Sequence, residues 1–239
     1  MTRQGVGEAA ELSDAAEAEV RHRCGYGCVR CGVSIYVYAR LPITDAPGWQ
    51  APATILLCPE CFALLRRHPL QPEHYAALLA RPVLRDPQFD RQHLPHGAVL
   101  PEISAGGNPA IHAVSVPLLC GDQAPLIFAP PNRGLGALRI SIALSGADGV
   151  MRPVIDANRW HPQEEGWRFA HRGGRYIVES DRSDARAELH CVAPDRLVIT
   201  HLRTRCDDHD IELTPDWLEV DGERSRNAIM GGQLVGYRI

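Results

Sequence analysis

Two cysteine pairs near the N-terminus, Cys28-x-x-Cys31 and Cys58-x-x-Cys61, constrain this chain more than any other feature. Two-residue spacing lets both thiolates of a pair turn toward one ion. Four thiolates then complete the tetrahedron that Zn2+ accepts in closed structural sites. The 26 residues between the pairs must form a hairpin that brings them together. The expectation is one structural zinc per chain, bound by Cys28, Cys31, Cys58 and Cys61. Such a metal couples to folding by on the order of 10 kcal/mol. A region of about 60 residues has little core of its own, so it is expected to unfold without the ion.

The remaining cysteines lack ligand spacing. Cys24 precedes Cys28 by four residues and reads as a packed thiol after a helix, with a spare ligand as the alternative. Cys120, Cys191 and Cys206 read as small buried hydrophobes. The first twenty residues are acidic and have no apolar centre, so no signal peptide is expected. Apolar runs such as Ala53 to Leu57 are too short to span a bilayer. A cytoplasmic setting follows as an expectation. There cysteines stay reduced, and pairs of them favour metal over disulfide.

All 25 basic residues are arginine, and the net charge is −4. The lack of lysine beside abundant Ala, Pro and Gly suits a GC-rich bacterial genome. Residues 1–97 set 10 Arg against 10 acids, and residues 98–239 set 15 Arg against 19 acids. Neither part has the cation excess that avid, sequence-independent nucleic-acid binding requires. A local arginine patch remains open.

Residues 11–23 read as a helix capped by Ser13 or Asp14, with acids early and arginines late. Ser34 to Leu41 is β-branched and aromatic, hence a strand. Residues 42–52 read as a loop, Thr54 to Leu57 as a short strand, and Pro59 to Arg67 and 72–80 as helices. Residues 98–136 read as a Pro/Gly-rich connector with a few strands, such as Ala113 to Leu119. From 137 to 239 short alternating strands recur every 8 to 12 residues, which predicts an antiparallel sandwich or a solenoid. Arg172-Gly-Gly-Arg175 reads as a hairpin turn, and Asp207 to Asp210 as an acidic turn. The class expected is α+β, a small ββα zinc finger domain (1–97, with flanking helices) before a β-rich domain (137–239). No Gly-rich phosphate loop, nucleophile elbow or zinc-protease motif is present, and no small-molecule cofactor is expected.

The stretch VRHRCGYGCVRCGVSIYVYARL, followed after the loop by ATILLCPECFALLRR, resembles one branch of the bacterial HNH endonuclease family. The likeness spans about residues 18–70 and rests on the Cys-Gly-aromatic-Gly-Cys-x-x-Cys-Gly turn, the Ile35-Tyr36-x-Tyr38 strand and the Leu56-Leu57-Cys58-Pro59 approach. Asp156-x-Asn158-x-Trp160 is similar to the region after such domains in some relatives. The resemblance implies a ββα-metal finger stapled by zinc. It also implies a general-base His ending the first strand, an Asn before the second, and a metal-binding His after the last zinc cysteine. By local register those positions hold Arg40, Ala53 and Phe62. Arginine stays protonated and cannot act as a base, and neither Ala nor Phe can ligate metal.

The expected function is therefore a zinc-binding, HNH-like protein without nuclease chemistry, contacting nucleic acid or a protein partner. Arg40 is then a candidate phosphate contact, since an arginine fork suits phosphate. An active metal-dependent endonuclease with relocated residues and a structural protein with zinc as a staple are the alternatives. His68, His74, Asp45 and Glu60 stand near the finger, but none has the family spacing.

Overall fold

The computed structural model describes residues 6–9, 11–41, 54–83, 94, 100–111, 115–131, 137–162, 165–193, 196–226 and 235–239. It is α+β, with sheets that are mostly antiparallel. The chain divides into two compact units, Met1–Asp90 and Arg91–Ile239.

The first unit contains β1 (Gly7–Glu8), α1 (Asp14–Arg23), β2 (Val37–Arg40), β3 (Thr54–Leu57), α2 (Pro59–Arg67) and α3 (Pro72–Ala80). Helix α1 starts where Ser13 Oγ accepts a bond from the Ala16 amide at 3.4 Å. That bond satisfies one of the donors a helix start leaves open. Asp14 and Glu17 lie in its first turn and Arg21, His22 and Arg23 in its last, matching the helix dipole. Two of those arginines also hold the helix to the sheet. Arg21 donates to the Tyr38 hydroxyl at 2.7 Å, and Arg23 to the Thr54 carbonyl at 2.9 Å.

β2 and β3 pair antiparallel, Val37 opposite Leu57 and Arg40 opposite Thr54. Val37, Tyr38 and Ala39 are all buried, as are Ile55, Leu56 and Leu57. Both strands thus lack the polar alternation of a one-sided sheet; they form the centre of this small unit. α2 follows β3 directly and contacts both strands. The strand expected over 34–41 is shorter than its apolar run, because Ser34 to Tyr36 are buried mostly outside the ladder.

The second unit begins with β4 (Glu102–Ala105), β5 (Asn108–Ile111), β6 (Val116–Leu119) and β7 (Leu126–Ala129). Next come β8 (Arg139–Ser145), β9 (Met151–Asp156) and β10 (Arg159–Trp160). A meander follows: β11 (Trp167–Arg172), β12 (Arg175–Ser180), β13 (Arg186–Ala193), β14 (Arg196–Cys206), β15 (His209–Leu213), β16 (Leu218–Val220) and β17 (Glu223–Ser225). β18 (Val235–Arg238) ends it.

One sheet runs β10-β9-β8-β7, and the meander runs in sequence order from β11 to β17. β8 and β9 contact β14, which layers the smaller sheet on the larger. Ser145 fixes that layer: its amide donates to Thr204 Oγ1 at 2.9 Å, and its hydroxyl accepts from the Arg205 amide at 3.0 Å. Ala187, Leu189 and Cys191 are buried, as their alternation predicts. Gly173 and Gly174 take φ of 57° and 78°, so the Arg172–Arg175 segment is a tight hairpin turn of the kind that matches strand twist. Asn158 is a pin rather than a ligand. Buried at φ 73°, it accepts from the Ile140 amide at 2.7 Å and donates to the Leu138 carbonyl at 2.8 Å. Trp160 meets Phe169 edge-on with ring centres 5.9 Å apart, inside the β unit.

The described residues of 98–136 carry more strand than the expected connector with a few strands. They supply β4 to β7, and each of these pairs within the second unit. β4 lies parallel to the start of β14, with Glu102 opposite Arg196, and β6 lies parallel to β18. Proline and glycine here punctuate short strands instead of leaving them unpaired. The unit boundary accordingly falls at 90/91, ahead of the expected 97/98.

Candidate metal centre

Cys28, Cys31, Cys58 and Cys61 come together as expected. Their sulfurs all lie within 4.8 Å of one another. Cys31 Sγ is 3.6 Å from Cys58 Sγ and 3.8 Å from Cys61 Sγ. Metal–sulfur bonds of about 2.3 Å in a tetrahedron imply an edge of about 3.8 Å. The donor set therefore fits one metal ion without rearrangement.

Local backbone explains the fit. In the first knuckle the Gly32 amide bonds the Cys28 carbonyl at 2.8 Å, and the Cys28 amide bonds the Val33 carbonyl at 2.9 Å. Gly32 sits at φ 80°, a left-handed conformation that glycine adopts freely. In the second, Cys58 is the N-cap of α2, and its sulfur accepts from the Cys61 amide at 3.4 Å. Pro59 opens the helix, where its missing amide hydrogen is no loss. The Val29 amide bonds the Leu56 carbonyl at 3.0 Å, which holds the first knuckle against β3.

Electrostatics favours a cation in the cluster. Burial pushes the Cys28 thiol well up, while bonds from Cys28, Cys31 and Cys58 hold Cys61 down. Sulfurs so close and so buried cannot all ionise without a compensating positive charge. Arg30 supplies part of it, donating to Cys61 Sγ at 3.6 Å. Cys24 is a packed thiol: buried, outside the cluster, and accepting from the Leu56 amide at 3.4 Å.

The three positions singled out by the family resemblance lie as follows. Arg40 is exposed at the end of β2, opposite Thr54 and Gly7. Phe62 is half-buried on α2, with the Arg66 guanidinium 5.7 Å above its ring. Ala53 and Asp45 lie outside the described residues. His68 caps the end of α2 and His74 lies in α3, both exposed; neither joins a metal-ligating group among the described residues.

One grouping was not legible from spacing. Cys120 and Cys206, distant in sequence, meet with Asp207 in a second cluster whose ligand atoms also lie within 4.8 Å of one another. The signal available was positional: each cysteine closes a strand just before a tight turn. The second unit also carries a cleft of about 420 Å³ beside Ser145 and Arg203. Arg203 pairs with Asp184 at 3.4 Å and Arg205 with Asp208 at 3.4 Å, so its cations are already balanced.

No family model, curated protein or solved structure matches the chain. Among the described residues, no helix is long and apolar enough to cross a membrane.

Proposed function

We propose that this chain is a zinc-stapled binding protein whose first unit has the HNH-type ββα plan without its nuclease chemistry. The observation that carries the reading is the pairing of a complete four-thiolate cluster with Arg40 and Phe62 at the positions where the family places its two histidines. Zn2+ is the ion that four thiolates at these separations suit best, and it supplies folding energy rather than catalysis in such closed sites.

Arg40 cannot take a proton from water, and Phe62 cannot hold a catalytic ion. Arg40, Arg66 and Arg67 are all exposed and offer guanidinium forks to phosphate or carboxylate. The balanced charge of the finger favours a protein partner over extended nucleic acid.

Full-length protein incubated with supercoiled plasmid and Mg2+, Mn2+ or Ni2+ should leave the DNA intact. Nicking that disappears in His68→Ala or His74→Ala would establish the relocated-nuclease alternative instead. Anisotropy titrations of duplex and single strands at two salt concentrations test the partner. Salt-sensitive binding lost in Arg40→Ala supports phosphate contact; no binding at either salt directs the search to a protein partner.

A further inference from the structure

The second cysteine cluster owes nothing to the N-terminal motif and is built by a different part of the fold. Cys120 follows β6, and Cys206 ends β14. Each thiol donates to the other residue's carbonyl, Cys120 Sγ to Cys206 O at 3.4 Å and Cys206 Sγ to Cys120 O at 3.7 Å. Both cysteines are almost fully buried, at 1% and 2% exposure. Asp207 is exposed and adds a carboxylate oxygen within 4.8 Å of both sulfurs.

Two further observations point to a ligand. Gln123 Oε1 lies 3.6 Å from Cys206 Sγ. With metal–sulfur bonds of about 2.3 Å and metal–oxygen bonds of about 2.0 Å, the sulfur–oxygen edge of a tetrahedron is about 3.5 Å. The Cys206–Gln123 separation matches that edge. The Gln123 backbone is locked to Cys120 by reciprocal amide–carbonyl bonds of 2.9 Å each. In addition, Asp207 is seated against Gly121 so closely that a Cβ at Gly121 would collide with its carboxylate. Gly121 at φ 54° therefore leaves open the space through which the carboxylate reaches the thiols. Asp207 and Asp208, at φ 46° and 70°, form the tight turn between β14 and β15 that swings this carboxylate back.

We propose that Cys120, Cys206 and Asp207, with Gln123 as the fourth donor, form a second site for a thiophilic divalent cation such as Zn2+. Two thiolates and a carboxylate neutralise the ion, and binding releases the two thiol protons to solvent. The exposed Asp207 side is the route of entry. A metal here would clamp the end of β6 to the end of β14.

The test uses the full chain, purified under reducing conditions, with zinc counted by mass spectrometry after equilibration with Zn2+ and desalting. Two ions per chain are expected, falling to one in Cys120→Ser/Cys206→Ser. Asp207→Asn changes only an exposed turn residue and should retain the fold while weakening the second ion at least about tenfold, since even supporting residues around metals are worth that much. Co2+ titration distinguishes the two sites, because four-thiolate and two-thiolate cobalt differ in their charge-transfer bands. One ion in the parent chain, two ions unaffected by these substitutions, or a Cys120–Cys206 disulfide under reducing conditions would overturn the proposal. Loss of the ion at Cys28, Cys31, Cys58 and Cys61 would be read separately through Cys28→Ser.

Discussion

The two units solve the problem of forming a stable interior in opposite ways. The second unit buries a long antiparallel meander whose inward residues, among them Leu189, Leu197, Ile199 and Leu202, are fully inaccessible. Each of its strands finds a partner, so the backbone is satisfied by the sheet itself. The first unit has two buried four-residue strands, two short helices with few buried residues, and a half-exposed α1. Its apolar interior is gathered around β2, β3 and the mostly buried stretch from Val29 to Leu41, and the four-cysteine cluster lies where β3, α2 and the first knuckle meet. One unit is specified by a repeated pattern, and the other combines a short apolar pair of strands with four cysteines gathered at one point. Alternation spread over many residues tolerates local change, whereas a tetrahedral site does not.

The largest effect should come from removing one of those points. Cys58→Ala deletes both a ligand and the N-cap of α2. A structural metal held by these four cysteines would contribute on the order of 10 kcal/mol to folding. The first unit should lose its protease resistance while a second, meander-derived thermal transition persists. Survival of both transitions would erase the contrast. Next in size is the converse test in the meander. Leu202→Ala, at a fully buried position on β14, should cost about 2–5 kcal/mol by cavity formation, read from denaturant unfolding of the second unit. Metal content at the four-cysteine site should be unchanged.

Smaller effects sharpen the picture. Ser13→Ala removes the cap of α1 and should cost about 1 kcal/mol, detected only in the transition of the first unit. Asp221→Asn probes an exposed surface pair. Asp221 accepts from His209 at 2.6 Å, and this bond raises the His209 pKa above its ordinary value. A raised histidine stabilises the fold below its unfolded-state pKa and loses that contribution as pH rises through the folded value. NMR titration should find His209 above the ordinary range in the parent and back near it in Asp221→Asn. An unchanged titration would remove the pair from the account.

Much of the first unit was legible because its signals are local. Proline at the start of α2, a serine before α1 and the cysteine spacing each specify backbone within a few residues, and α2, α3 and β3 fall on their expected bounds. The second unit was legible in class but not in topology. β4 and β6 lie parallel to β14 and β18, and parallel partners leave no turn between them in the sequence to announce the pairing. For the same reason 98–136 read as a connector, and Cys120 and Cys206 as unrelated thiols. Their meeting depends on which strand ends the fold brings together. The four-cysteine site, by contrast, was readable because each half is a local turn and only one hairpin separates them.

Hydrogen exchange of the full-length chain, with and without a zinc chelator under reducing conditions, measures how far each unit depends on a metal at the four cysteines. Amides of β2, β3 and α2 should lose protection when metal is removed, while those of β11 to β13 keep theirs. Retained protection at β2 and β3 in metal-free protein would contradict this dependence, because the first unit would then stand on its own core.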